Sequence, residues 1–176
     1  MRRLFLLRHA KSSWQTDGQE DFERPLNERG RKSAPAIGAY MLRQGIAPDL
    51  VLCSTACRTR ETLALVLPFL RGEATIRLED RFYLASAAKL SAALRRLDNA
   101  VRQVMIVAHN PGIQEAALEL SAEDLSADRE AVERKFPTAA LAQIDFAAGP
   151  WSAVEPHCGA LVRFVSPHML AEDAET

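Results

Sequence analysis

Val104-Met105-Ile106-Val107-Ala108-His109 is the stretch that decides the fold. An unbroken apolar run this short, rich in β-branched side chains and closed by a histidine, reads as a strand buried on both faces. Two other runs read the same way: Leu4 to Leu7 between Arg3 and Arg8, and Leu50-Val51-Leu52-Cys53. Between them lie helical patterns. Asn27 caps a helix towards Gln44, where Gly45 and Pro48 end it, and Pro35 inside it implies a kink or a later start. Ala56 to Leu67 turns Leu63, Val66 and Leu67 inward. Thr75 to Leu78 is a weak strand, and Ala87 to Leu97 is helical by propensity. Pro111 suits the first turn of a helix to Leu120.

Lys11 to Arg24 is polar and carries the turn signal Asp17-Gly18, so it reads as a loop. Ser121 to Arg134 reads as charged surface. Ala139 to Phe146 and Ala160 to Val165 read as two late strands around a Gly149-Pro150 turn, and the tail after Pro167 as loose. Strands alternating with helices predict an α/β fold: a three-layer α/β/α sandwich with a mainly parallel central sheet and helices on both faces. A late hairpin would make the sheet mixed. No repeat or linker divides the chain, so residues 1–176 read as a single domain.

The 176 residues hold 22 Lys+Arg, 23 Asp+Glu and 48% hydrophobic residues. A chain of this length buries roughly 70% of its unfolded surface, enough for a core without staples. The near-zero charge argues against a polyelectrolyte role on nucleic acid. It conceals an asymmetry: residues 1–60 carry a formal +5 and residues 61–176 a formal −6. Cys53, Cys57 and Cys158 are too few for a disulfide framework, and Cys53 and Cys57 lack zinc-knuckle spacing, so both read as small buried hydrophobes. Leu4 to Leu7 is too short for the core of a signal peptide, and no stretch is long enough for a membrane helix. A cytoplasmic protein without a membrane partner is the expectation.

In open α/β sheets, ligands bind beyond the carboxyl ends of the strands. Arg8-His9 ends the first strand, Ser54 to Arg58 leads from the second into a helix, and His109 ends the strand at 104–108. An arginine directly after a buried apolar run is costly to desolvate without an anion or a carboxylate. Helix starts near Arg58 and after His109 add positive dipole ends. Two arginines and two histidines converging on one edge predict a phosphate pocket with a nucleophilic imidazole. Competing motifs are missing: there is no Walker loop, no G-x-G-x-x-G and no G-x-S-x-G elbow. Cys53 stands one position too near Arg58 for a Cys-x5-Arg phosphatase loop. No metal-ligand cluster is visible.

These residues carry a resemblance. Leu7-Arg8-His9-Ala10-Lys11-Ser12-Ser13-Trp14 resembles the Arg-His-Gly signature of the histidine phosphatase superfamily, which includes the phosphoglycerate mutases. Asp21-Phe22-Glu23-Arg24-Pro25-Leu26-Asn27-Glu28-Arg29-Gly30 is similar to the D-x-x-R-P-L-x-x-x-G stretch of SixA-type phosphohistidine phosphatases. Ser54 to Thr62 matches their S-x-x-x-R-x-x-x-T, and Val107 to Pro111 their second-histidine strand end. The likeness runs from Arg3 to about Pro167, and the short chain fits the SixA branch.

The resemblance implies that His9 attacks phosphorus and becomes phosphorylated, that Arg8, Arg58 and His109 hold the equatorial oxygens, and that no metal or other cofactor is needed. It implies Asp21 as first candidate for the leaving-group acid, ahead of Glu79 and Asp80, and substrate contacts from Gln15 and Arg24. Ala10 replaces the usual glycine, Gln15 replaces an asparagine of the mutases, and Asn110 stands where phytase-type members carry an acid. A phosphoramidate substrate can excuse a missing acid, because its imidazole can be protonated from solvent. The expected substrate is phosphohistidine in a protein, such as a histidine-phosphotransfer domain. The rivals are a small-molecule phosphomonoesterase, with Lys11, Arg24 and Arg60 as selectors, and a phosphate-binding module without turnover. His157 and His168 read as structural or surface groups, and Lys135 to Ala139 has no role beyond leading into a strand.

Overall fold

The computed structural model describes residues 1–14 and 18–174. In chain order the elements are β1 (Arg2–Arg8), α1 (Glu28–Arg43), β2 (Leu50–Ser54), α2 (Cys57–Val66), β3 (Thr75–Glu79), α3 (Ala87–Arg95), β4 (Gln103–Ala108), α4 (Gly112–Leu120), α5 (Ala127–Arg134), β5 (Leu141–Phe146), β6 (Ala160–Val165) and α6 (Pro167–Ala174). The six strands form one sheet in the order β3-β2-β4-β1-β5-β6. β3, β2, β4 and β1 run parallel, and β5 pairs antiparallel with both β1 and β6. This is the expected mainly parallel sheet with its late hairpin.

Alternation along the strands splits the core in two. Leu4, Leu6, Leu52, Val104 and Ile106 face one layer, completed by α3, α4, Phe136 and Trp151. Phe5, Leu7, Val51, Met105 and Val107 face the other, where Ile37 and Met41 of α1 and Leu63 and Val66 of α2 pack. The central strands are apolar on both faces because both faces are covered. β1 and β4 are in register from Arg3 opposite Gln103 to Arg8 opposite Ala108, so His9 and His109 leave the sheet side by side.

α1 begins at Glu28 with the Asn27 side chain accepting from Gly30 N–H at 2.9 Å, and it runs through Pro35 without breaking. Gly30 is fixed by a close approach: a Cβ there would meet the Lys11 carbonyl oxygen at 2.1 Å. The first turn of α1 thereby holds the loop that leaves His9.

Three expectations change. The tail after Pro167 is helical: Ser166 is buried, Pro167 takes the first helical position, and Met169 and Leu170 pack on the two core clusters. Those two are the only large apolar residues of the helix, too few for a period. The stretch 121–134 is not all surface, since α5 buries Val132 and Arg129. The Arg129 guanidinium donates to Ser121 Oγ at 3.0 Å and the Ala122 carbonyl at 3.0 Å, which makes its burial tolerable. Cys53 is buried as expected, but Cys57, at the start of α2, is only half-buried. No helix among the described residues is long and apolar enough to cross a membrane.

Candidate active site

At the carboxyl ends of β1, β2 and β4 lies a cavity of about 310 Å³. Arg8, His9, Lys11, Ser12, Trp14, Asp21, Arg24, Arg58, Leu84, His109, Asn110 and Thr138 line it. Of the residues singled out in the sequence, Arg8, His9, Asp21, Arg24, Arg58 and His109 meet here. Gln15 lies outside the described residues. Glu79 and Asp80 do not line the cavity, and Glu79 pairs with Arg81 at 3.0 Å. Arg60 is exposed and stands apart.

His9 is fixed through its neighbour. Its Nδ1 lies 2.8 Å from the Ala10 carbonyl, which can only accept, so Nδ1 carries the proton and Nε2 keeps its lone pair. Ala10 N–H donates to Thr62 Oγ1 at 2.9 Å, and Thr62 donates to the Arg58 carbonyl at 2.6 Å. The start of α2 thus anchors the backbone behind the imidazole. Burial, with smaller contributions from His109, Arg58 and Arg8, pushes the His9 pKa down to about 3. The ring is neutral at physiological pH.

The second histidine is equally defined. Its ring centroid lies 5.2 Å from that of His9. His109 Nε2 lies 2.8 Å from Ser54 Oγ, which also accepts from Ala56 N–H at 3.4 Å. Among the described residues His109 Nε2 is the acceptor within reach of the Ser54 proton, so the hydroxyl is assigned as donor to the ring. His109 Nδ1 then carries the N–H, and Nδ1 is buried without a partner. Burial and the Arg58 charge lower the His109 pKa to about 3, so this ring too is neutral.

Both arginines are braced on one side and open on the other. Arg8 Nη1 donates to the Phe136 carbonyl at 2.7 Å, and its Nε is buried without a partner. Arg58 is 3% exposed; Nη1 donates to the Asp21 carbonyl at 2.5 Å and Nη2 to Asp21 Oδ2 at 2.9 Å, while Nε has no partner. Arg24 donates from Nη1 to Asp21 Oδ1 at 2.7 Å and from Nη2 to Ser12 Oγ at 2.6 Å, and lies over the Trp14 ring.

Asp21 therefore receives donors from Arg24, Arg58 and Tyr83, whose hydroxyl lies 2.6 Å from Oδ2. Partial burial pushes its pKa up, but the hydrogen bonds and the Arg58 charge outweigh this and hold it well below the usual carboxylate range. At neutral pH Asp21 has no proton to give. The expectation of Asp21 as acid meets a carboxylate that orients two arginines.

Sequence reading missed three contributors. Tyr83 follows a weak strand and carries no motif. Ser54 and Thr62 stand in a quoted motif, but without a role; a hydroxyl closing a buried strand was the available signal. The segment at 135–139 buttresses the site. Phe136 offers its carbonyl to Arg8, and Ala139, in left-handed backbone at φ 60°, donates N–H to the carbonyls of Arg8 and His9 at 3.2 and 3.1 Å. Among the described residues that line the cavity, Lys11, Arg8, Arg24 and Arg58 stand against one carboxylate, Asp21, and two neutral histidines, an arrangement suited to a compact anion. Among the described residues, no three His, Cys, Asp or Glu gather as a metal site would require.

Comparison with known proteins bears on this geometry. The sequence model of the histidine phosphatase superfamily (branch 1) matches residues 4–83. An uncharacterized protein of Mycobacterium tuberculosis strain H37Rv, Rv1276c, is 37% identical over 164 residues, covering 92% of this chain and 99% of its own. The solved structure assigned as the phosphohistidine phosphatase SixA of Agrobacterium tumefaciens superposes with a TM-score of 0.77 at 30% identity, over 94% of this chain and 98% of that one. The protein histidine phosphatase SixA complexed with tungstate shares the fold, with a TM-score of 0.78 at 21% identity over 96% and 99% of the two chains.

Proposed function

Since the chain belongs to the histidine phosphatase superfamily, we propose that it is a phosphatase that takes a phosphoryl group onto His9 and passes it to water, with phosphohistidine in a protein as its substrate class. One observation carries the reading. Around a neutral His9 with a free Nε2 lone pair, Arg8 Nε, Arg58 Nε and His109 Nδ1 are buried without a partner. Unpaired buried donors cost free energy, and phosphoryl oxygens would satisfy them.

His9 Nε2 attacks phosphorus in line, and the bond to the leaving group breaks. Arg8, Arg58 and His109 take the equatorial oxygens as charge shifts among them, so the site works by positioning and electrostatics. Water then attacks the phosphohistidine and returns His9. Asp21 keeps the Arg58 fork aimed, and Arg24 and Lys11 add positive charge at the mouth. A nitrogen leaving group fits a site where Asp21, the carboxylate among the described lining residues, is ionised, because an imidazole can leave without an acid from the protein. The 30% identical structure assigned as a phosphohistidine phosphatase supports the same class.

Phosphate release from a phosphorylated histidine-phosphotransfer domain tests the reading. His9→Ala should lower turnover on the order of a thousandfold or more. Undiminished turnover in that variant would overturn it. A higher kcat/KM on sugar phosphates than on the phosphorylated domain would move the substrate to small esters. Anion binding without turnover on either would leave only a binding module.

A further inference from the structure

We propose that Asn110 selects a nitrogen leaving group: its side-chain oxygen accepts a hydrogen bond from the ring N–H of a departing imidazole. The proposal rests on the phosphatase reading and deepens it. Asn110 follows His109 and lines the cavity, and its Oδ1 is buried without a hydrogen-bond partner.

The orientation of that amide is determined by its neighbours. Asn110 Nδ2 donates to the Phe136 carbonyl at 3.3 Å and to Gln114 Oε1 at 3.0 Å. A carbonyl only accepts, so the nitrogen must face Phe136 and the oxygen must face away. Gln114 is held in turn by Nε2 donating to the carbonyls of Val132 at 2.8 Å and Glu133 at 3.3 Å. Two side-chain amides anchored on backbone carbonyls thus leave one acceptor over.

That acceptor is out of keeping with its surroundings. Arg8, Arg58 and His109 present donors, which suit phosphoryl oxygens. An ionised phosphoryl oxygen cannot pair with Asn110 Oδ1, because both accept. The complement of Oδ1 is therefore a donor elsewhere on the substrate, on the group that leaves. A phosphorylated imidazole protonated at its other ring nitrogen has such a donor. An aryl ester does not.

The step balances without a protein acid. The His9 Nε2 lone pair forms the new nitrogen–phosphorus bond. The substrate nitrogen–phosphorus bond breaks, and its electron pair goes to the departing ring. That ring leaves neutral and keeps its N–H on Asn110 Oδ1. His9 keeps its Nδ1 proton on the Ala10 carbonyl and takes over the positive charge. No proton is transferred, in keeping with an Asp21 that has none to give.

The test compares kcat/KM on phosphoimidazole and on p-nitrophenyl phosphate, across pH. Asn110→Ala should lose about tenfold or more on phosphoimidazole, most where its ring is protonated, and stay within about threefold on the aryl ester. Gln114→Leu, which loosens the amide from behind, should show a smaller loss with the same substrate bias. Equal losses on both substrates would overturn the proposal and reduce Asn110 to a support for Arg8 through Phe136. No loss on either would overturn it as well. A wild-type protein active on the aryl ester but not on phosphoimidazole would overturn it too, yet leave a phosphatase acting through His9. Failure of that broader reading is separate, since it is the persistence of turnover in His9→Ala.

Discussion

Ser54 and His109 form the most informative pair at the scale of single residues. The hydroxyl decides which nitrogen of His109 presents its proton to the cavity, and the serine is fully buried. Ser54→Ala leaves a buried ring nitrogen unpaired, so we expect a stability loss of about 1–3 kcal/mol. We also expect mixed tautomers in the ¹⁵N spectrum of His109; a single tautomer with the proton on Nδ1, as in the wild type, would show that Ser54 does not set it. The histidines also predict a pH response. Both have pKa values lowered to about 3 by burial first, against an ordinary 6.5. Between these values the unfolded chain binds more protons than the folded one, so stability falls as pH drops from 6.5 towards 3 and is complete above that window. The lowered pKa of Asp21 acts in the same direction, losing its contribution as the carboxylate protonates. The urea midpoint should fall between pH 7 and pH 4, and the His9 and His109 ring signals should not titrate between pH 5 and pH 8. A midpoint that rises with acid, or a His9 titration near 6.5, would contradict the assignment.

At the scale of elements, what was legible in the sequence follows burial. β1, β2 and β4 announce themselves because both faces are covered, which makes the runs continuously apolar, and their ends locate Arg8, His9, Arg58 and His109. α1 was legible from its cap and its stop. α6 and the buried side of α5 were not, because each buries only one or two apolar residues and the Arg129 charge resembles surface. Tyr83 and the carbonyl of Phe136 were illegible for a different reason. Their roles arise from long-range juxtaposition, and a backbone carbonyl leaves no mark on residue identity. The start of α4 supplies a prediction at this scale. A Cβ on Gly112 would meet the Ala85 carbonyl oxygen at 1.8 Å, so α4 must approach the turn before α3 as backbone on backbone. Gly112→Ala should cost about 1–3 kcal/mol through forced displacement, despite alanine's better helix propensity. An unchanged or raised melting temperature would show that the contact relaxes freely.

For the whole molecule, the sheet's polarity organises charge as well as chain. The balanced total conceals a basic first third, and the fold brings Arg8, Lys11, Arg24 and Arg58 from that third to one cavity mouth. Asp21, from the same segment, holds Arg24 and Arg58 in position and leaves the unpaired donors on Arg8, Arg58 and His109. The molecule thus concentrates positive charge on one cavity of about 310 Å³, between two core layers that fix the strand ends. In the proposed mechanism His9 Nε2 takes the phosphoryl group. Rapid quenching during turnover, followed by peptide mapping and ³¹P NMR of the trapped protein, tests it most directly. An acid-labile, base-stable phosphoryl group on His9 Nε2 is the expected result; a phosphoryl group on another residue, or turnover with none on His9 at any quench time, would rule this mechanism out.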